Sequence, residues 1–215
     1  MSESAHGHPS SIDYGSYLRL PELLELQTLQ SSPEHPDELL FIVVHQASEL
    51  WFKALRHEMD TMITALEEFD TMRALLAVQR VNVLTEIIAQ QLTALDTLPP
   101  QRFAQFRGYL GSSSGSQSAQ FRAIEATAGL RDPHFLAAIT EHGEPPAVVK
   151  EALARPVLQS LVLALIEHEQ MDLAELYMGP GPTPMFLLVE GLLEFEQRFA
   201  RWRFLHVQLV ERIIG

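Results

Sequence analysis

Two long stretches of helical periodicity, placed end to end, constrain this chain more than any other feature. From about Asp37 to Phe69 apolar side chains recur at three- and four-residue intervals, namely Phe41, Val44, Leu50, Phe52, Leu55, Met59, Met62 and Leu66. A second stretch runs from about Thr71 to Leu98, where Pro99 and Pro100 stop it. Asp37 can cap the first of the two. Upstream, the apolar spacing from Leu18 and a first-turn proline at Pro21 predict a helix through about Gln30. Further helices are expected near 119–129 and 132–142, from about Val148, from about Pro156 to Tyr177, and from about Met185 to the end. No window alternates with period two for long enough to make a strand. The fold class that follows is all-α, a helical bundle built on long helices.

Composition narrows the class. At 215 residues and 47% apolar content the chain can bury one sizeable core, so residues 14–215 are expected to form a single all-α domain. Residues 1–13, rich in Ser, His, Gly and Pro, read as a flexible N-terminal arm. Fifteen Lys and Arg against 28 Asp and Glu give a net charge of −13, which excludes a nucleic-acid surface, because phosphate binding needs clustered cations. With no cysteine, thiolate catalysis, zinc ribbons and iron–sulfur clusters are excluded, so any metal must be held by His, Asp or Glu. No run of about 18 apolar residues suggests a membrane span, and the expected location is cytoplasmic.

The chemistry-bearing residues sit on the helices and one unusual loop. His45 shares a helical face with Phe41, Ser48 and Phe52, and His206 shares one with Phe199, Trp202, Leu209, Val210 and Ile213. Each is either a core histidine bonded to a neighbour or a ligand; two such imidazoles can also flank a buried flat cofactor, since neutral helix-borne imidazole is an axial ligand of haem iron. A dimetal bundle would want Glu-x-x-His pairs, and no histidine here has Glu three positions before it. His57-Glu58 and His168-Glu169 therefore read as solvated helix faces. The small-residue stretch Gly108–Ser118 looks like a loop that something approaches closely. Arg107, beside it, offers a planar fork for a carboxylate or else a surface ion pair, and Arg122 with Glu125 reads as a surface pair. Tyr14 and Tyr17 are aromatic bodies with polar tips on an otherwise polar arm, an arrangement that usually docks on something.

Four blocks of this sequence resemble the tryptophan 2,3-dioxygenase family, in that family's order. They are Tyr14-Gly-Ser-Tyr-Leu18; Leu40-Phe-Ile-Val-Val-His-Gln-Ala-Ser-Glu-Leu-Trp-Phe-Lys53; Phe106-Arg-Gly-Tyr-Leu-Gly111 with Ser114-Gly115, Gln117-Ser118 and Gln120-Phe-Arg122; and Trp202-Arg-Phe-Leu-His-Val207 with Val210-Glu-Arg-Ile-Ile-Gly215. The resemblance implies a haem b enzyme, normally a homotetramer, that inserts both atoms of O₂ across the indole 2,3-bond of L-tryptophan to give N-formyl-L-kynurenine. It implies His206 as the proximal ligand of the ferrous iron and His45 as the distal histidine that hydrogen-bonds the indole N–H. Arg107 falls on the residue that grips the substrate carboxylate, Phe41 and Phe103 on the pocket wall, and Ser114 and Gly115 on the loop beside the distal face. Tyr14 and Tyr17 match an aromatic pair that the N-terminal arm sends into a neighbouring subunit's site, so arm exchange between subunits is implied as well.

The sequence also departs from that pattern. Where the family's loop reads Gly-Pro-Ala-Ser-Gly-Phe-Gln-Ser, this chain has Ser112 for Pro, Ser113 for Ala and Ser116 for Phe, so a roomier and more polar pocket wall is expected. The family pattern continues past Ile213-Ile-Gly215 into a Gly/Thr-rich loop that closes over the amino acid, and a chain ending at Gly215 is expected to hold free tryptophan less tightly. Two alternatives follow: a haem-dependent oxygenase of a different or substituted indole, and a haem-binding or scaffold protein without catalysis.

Overall fold

The computed structural model describes residues 13–141 and 143–214. Asp13 is the N-cap of the first helix, α1 (Tyr14–Leu18), and accepts from the Ser16 amide at 2.7 Å; the rest of the expected arm lies outside the described residues. α2 (Leu20–Leu24) carries Pro21 in its first turn as the sequence predicts, but it ends six residues before Gln30. The reason lies in the next helix. Gln46 donates to the Leu26 carbonyl, Gln27 donates to Gln46, and the Gln30 and Ser31 amides donate to the Glu38 carboxylate. Side chains of the following helix satisfy the backbone of residues 26–31, so that segment lies along it instead of coiling.

That helix is α3 (Glu38–Glu67), which turns into α4 (Thr71–Asp96) through Asp70, whose side chain accepts from the Arg73 amide. Asp37 stands at the start of α3 but does not cap it: its carboxylate is taken by an ion pair with Arg102, an interaction with no trace in local sequence. α5 (Pro100–Arg107), absent from the sequence reading, uses Pro100 as its first residue. Two 3-10 turns, Gly108–Leu110 and Gly115–Gln117, make up most of the small-residue loop. α6 (Ala119–Thr127), α7 (Pro133–Thr140) and α8 (Ala147–Ala154) follow as expected. The helix expected over 156–177 is two helices, α9 (Leu158–His168) and α10 (Leu173–Met178). Gln170 sits in the left-handed region at φ 55°, and Asp172 caps α10 through the Ala174 amide. α11 (Pro184–Ile214) closes the fold, with the Thr183 hydroxyl accepting from the Phe186 amide.

Among the described residues there is no strand, and the class is all-α. α4 packs along both α3 and α11, so the three long helices form the frame. Met62, Ile63, Val78, Val81 and Leu188 are fully buried in the seam between them. The close approach of α4 and α11 depends on Gly191, where a β-carbon would lie 2.8 Å from Val78 Cγ1. Asn82 donates to the Gly191 carbonyl at 2.8 Å at the same crossing. α5 plugs one end of the frame with a separate cluster of Leu98, Phe103 and Phe106, against which Phe41 and Ile213 pack. α6 and α8 pack on each other, and α6 also packs on α3. Between α3, α6, α5 and α11 the frame stays open.

Candidate active site

That opening is a cavity of about 680 Å³, within the size range of small-molecule and cofactor sites. Five helices and the loop supply its walls, α4 through Leu92 and Leu95. α3 brings Phe41, His45, Ser48 and Phe52, spaced by three and four residues so that all face one way. α5 brings Phe103 and Arg107, four apart; α6 brings Phe121, Arg122 and Glu125; α11 brings Trp202, Arg203, His206, Leu209 and Ile213. Ser113, Ser114, Gly115 and Ser116 border it from the loop. Of the residues singled out from the sequence, Phe41, His45, Phe103, Arg107, Ser114, Gly115 and His206 therefore line one cavity, although up to 165 positions separate them in the chain. Tyr14 and Tyr17 do not: they are 75% and 74% exposed, on α1, away from that lining.

The two imidazoles are held differently. His45 Nδ1–H donates to the Phe41 carbonyl at 2.7 Å, one turn back, and its ring packs on the Phe41 ring at 4.2 Å. Because a carbonyl only accepts, this bond fixes the tautomer and leaves Nε2 with a lone pair. Burial pushes the His45 pKa below its ordinary value, against the opposite pull of that hydrogen bond and of Glu49. His206 stacks on Trp202, with centroids 5.1 Å apart and planes 9° from parallel, in an aromatic wall that continues through Phe121 and Phe52. Neither of its ring nitrogens has a hydrogen-bond partner among the described residues. Burial, then the neighbouring His45 and Arg122, hold its pKa below the ordinary value. Both rings are therefore neutral at pH 7, the state in which an imidazole ligates a metal or accepts a proton.

Arg107 makes no ion pair among the described residues; one guanidinium nitrogen donates to the Gly111 carbonyl at 3.0 Å, which orients the fork and ties it to the start of the loop. Ser114 and Gln117 close a capping box at the second 3-10 turn, so the serine-rich loop is locally folded. A β-carbon on Gly115 would lie 3.7 Å from His206 Nε2. Any larger residue at that position would fill the space at the imidazole tip.

The site includes groups that the sequence reading misjudged. Arg122 and Glu125 are not a surface pair: Glu125 is 2% exposed, bonded to Arg122 at 2.7 Å, and Arg203 approaches its other oxygen at 3.3 Å. Away from the cavity, Glu58, expected on a solvated face, is also buried, and Arg80 Nη1 donates to both of its oxygens. Trp202 Nε1–H is buried without an acceptor among the described residues, a cost of about 1–3 kcal/mol that no sequence signal announces.

Comparison with known proteins bears on what this cavity is. Residues 2–152 match the tryptophan 2,3-dioxygenase family, a span that includes Phe41, His45, Phe103, Arg107 and the serine-rich loop. A tryptophan 2,3-dioxygenase of a Nocardioides species is 38% identical over 224 residues, covering 96% of this chain and 83% of the relative. That of Herpetosiphon aurantiacus is 38% identical, covering 95% and 86%, and that of Anaeromyxobacter dehalogenans 35% identical, covering 97% and 85%. The chain belongs to the tryptophan 2,3-dioxygenase family. The tryptophan 2,3-dioxygenase match ends at residue 152, so His206 lies beyond it, while the relatives align over nearly the whole chain, and in the fold His206 borders the same cavity as the matched residues.

Proposed function

We propose that this protein is a haem-dependent dioxygenase that joins L-tryptophan and O₂ into N-formyl-L-kynurenine. The observation that carries the reading is one cavity that brings together two neutral imidazoles, an arginine with no carboxylate partner among the described residues, and an aromatic wall. Among the described residues no three His, Asp or Glu side chains converge to hold an ion by themselves. His206 would hold the iron of a haem, whose porphyrin would bring the metal's remaining ligands. The residues fit that group: Trp202 holds His206 flat, the nitrogen at the imidazole tip is unbonded, and Gly115 leaves its tip uncovered by a side chain. Haem b, when bound, supplies the O₂ chemistry.

The protein's own part is binding and orientation. His45 Nε2, its tautomer fixed by the Phe41 carbonyl, accepts from the indole N–H. Arg107 takes the substrate carboxylate through the face of its fork that Gly111 does not use. Phe41 and Phe103 close the apolar wall against the indole ring, and together these contacts hold the 2,3-bond in one place in a dry pocket. Ser114 and Gly115 border the haem. Residues 14–215 act as one unit in this reading, and the enzyme is a cytoplasmic homotetramer in which Tyr14 and Tyr17 enter a neighbouring subunit. The exposure of both tyrosines supports that exchange.

A second reading rests on the loop. Ser113, Ser114 and Ser116 border the cavity with three hydroxyls, two of them bonded to each other at 2.9 Å, and favour an indole carrying a polar ring substituent. One experiment separates the readings: haem-reconstituted protein, reduced without oxygen, is titrated with L-tryptophan and then exposed to O₂. Formylkynurenine absorbance with a tryptophan-dependent Soret shift supports the first. A haem spectrum blind to tryptophan but responsive to hydroxyindoles supports the second, and no Soret band rejects both.

A further inference from the structure

Arg122, Glu125 and Arg203 lie outside the roles assigned above, yet all three border the cavity. Glu125 is nearly inaccessible, and a buried carboxylate survives as an ion only where cations surround it. Arg122 Nη1 donates to one of its oxygens at 2.7 Å, and Arg203 Nε stands 3.3 Å from the other. Two guanidinium groups on one carboxylate leave one positive charge in surplus. Each guanidinium carries five N–H donors, and neither donates to any further protein acceptor among the described residues. Their side chains are 24% and 45% exposed, so the unused donors reach the cavity or the solvent at its edge. In a chain of net charge −13, a cationic pair on a cavity wall calls for an anionic occupant.

The position of the pair identifies which anion. Arg203 is three residues before His206 on α11, while Ile213, seven residues after it, packs in the cluster that contains Phe103 from the helix of Arg107. At about 1.5 Å per residue, Arg203 and the Arg107 end lie ~15 Å apart along α11, with His206 between them. The cavity therefore has two cationic ends. The Arg107 end is assigned above to the amino-acid carboxylate, and the other lies within one turn of His206.

We propose that Arg122 and Arg203 form the anchor for the propionate carboxylates of the haem, and that Glu125 is a positioning residue that holds both forks toward them. This rests on the haem reading above. An Arg–carboxylate pair is bidentate and planar, so the anchor would set the cofactor's orientation as well as its affinity. Glu125 cannot itself meet a propionate; its contribution is to orient the two cations and to cancel part of their mutual repulsion.

The test compares haem b with its dimethyl ester, in which the two propionates are masked, on the full chain. Soret titration reads uptake, and transfer to excess apomyoglobin reads the rate of loss. The unmodified protein is expected to lose haem b at least tenfold more slowly than the ester. In the R122Q/R203Q variant the two should leave within about twofold of each other, and E125Q should fall between. Equal loss rates from the unmodified protein overturn the anchor, and so does a tenfold difference that persists in R122Q/R203Q. Uptake of neither compound overturns the haem reading and the anchor with it, whereas uptake of both with equal retention removes the anchor alone. Should the double variant fail to fold by circular dichroism, R122Q and R203Q are compared singly with both haems: a smaller haem b to ester difference in either supports the anchor, and an undiminished tenfold difference in both overturns it.

Discussion

His45 shows how a single residue can be legible by position and illegible by state. Its spacing from Phe41 puts it on the apolar face of α3, and that much follows from the sequence. The Nδ1 bond to the Phe41 carbonyl is made within α3, whereas the burial that lowers its pKa comes from the elements packed around the cavity. The sign of the consequence is fixed. The unfolded chain takes up a proton at His45 near the ordinary value of 6.5, and the folded chain does so only at lower pH. Stability is therefore full above that range and declines as pH falls from about 6.5 toward the folded pKa. Urea unfolding of the haem-free protein at pH 7.5 and 5.5 should show the loss, and His45→Gln should reduce the difference. Arg107 gives a second prediction at this scale. Its guanidinium is already oriented by Gly111, so removing it costs a charged hydrogen bond without disturbing the helix. Arg107→Ala should raise KM for tryptophan roughly ten- to a hundredfold, from about 1.5–3 kcal/mol, with indole itself bound as before; steady-state kinetics on both compounds checks it. Arg122, by contrast, was illegible, because nothing in Arg122-Ala-Ile-Glu125 says that the glutamate points inward.

At the scale of elements, the long helices were readable because their periodicity spans many turns, and errors gather where a tertiary contact outbids a local preference. The break between α9 and α10 has neither Gly nor Pro; Gln170 adopts a left-handed conformation and Asp172 starts a new helix, with the periodicity of flanking apolar residues preserved across the gap. The early end of α2 has the same origin, since Gln46 and Glu38 of α3 bind its continuation. Gly191 is the opposite case, a glycine inside a helical pattern whose purpose appears only when α4 is laid across it. Gly191→Ala should destabilise the protein by about 1–3 kcal/mol, because the new methyl meets Val78 at 2.8 Å within a filled seam. Val78→Ala in the same chain should recover part of that loss, since it removes the methyl in the way. A thermal-melt cycle of the four proteins measures the coupling; additive losses would mean that the helices part instead of clashing.

For the whole molecule, the distribution of exposed apolar side chains is uneven. Tyr14, Tyr17, Leu24 and Leu26 stand in solvent on consecutive short elements, with none of their neighbours in α1 or α2 buried. Two five-residue helices without a buried face cannot hold themselves in place by burial, since the entropy of ordering them is repaid only against another surface. α11 adds Phe204 in solvent, together with Val207, Val210 and Ile214, which border the cavity and are themselves exposed. The subunit exchange proposed above would cover the tyrosines, and it makes a concentration-dependent prediction. Tyr14→Ser/Tyr17→Ser should leave the helical content and melting of the subunit nearly unchanged, because neither ring contributes to the described core. It should nonetheless shift the oligomer toward smaller species on dilution and lower turnover under conditions where the unmodified protein stays assembled. Sedimentation velocity over a hundredfold range of concentration, run beside the activity assay, reads both. Assembly and turnover unaffected by the double substitution would confine the tyrosines to their own subunit's surface, and the cavity would then have to work with the walls that one chain supplies.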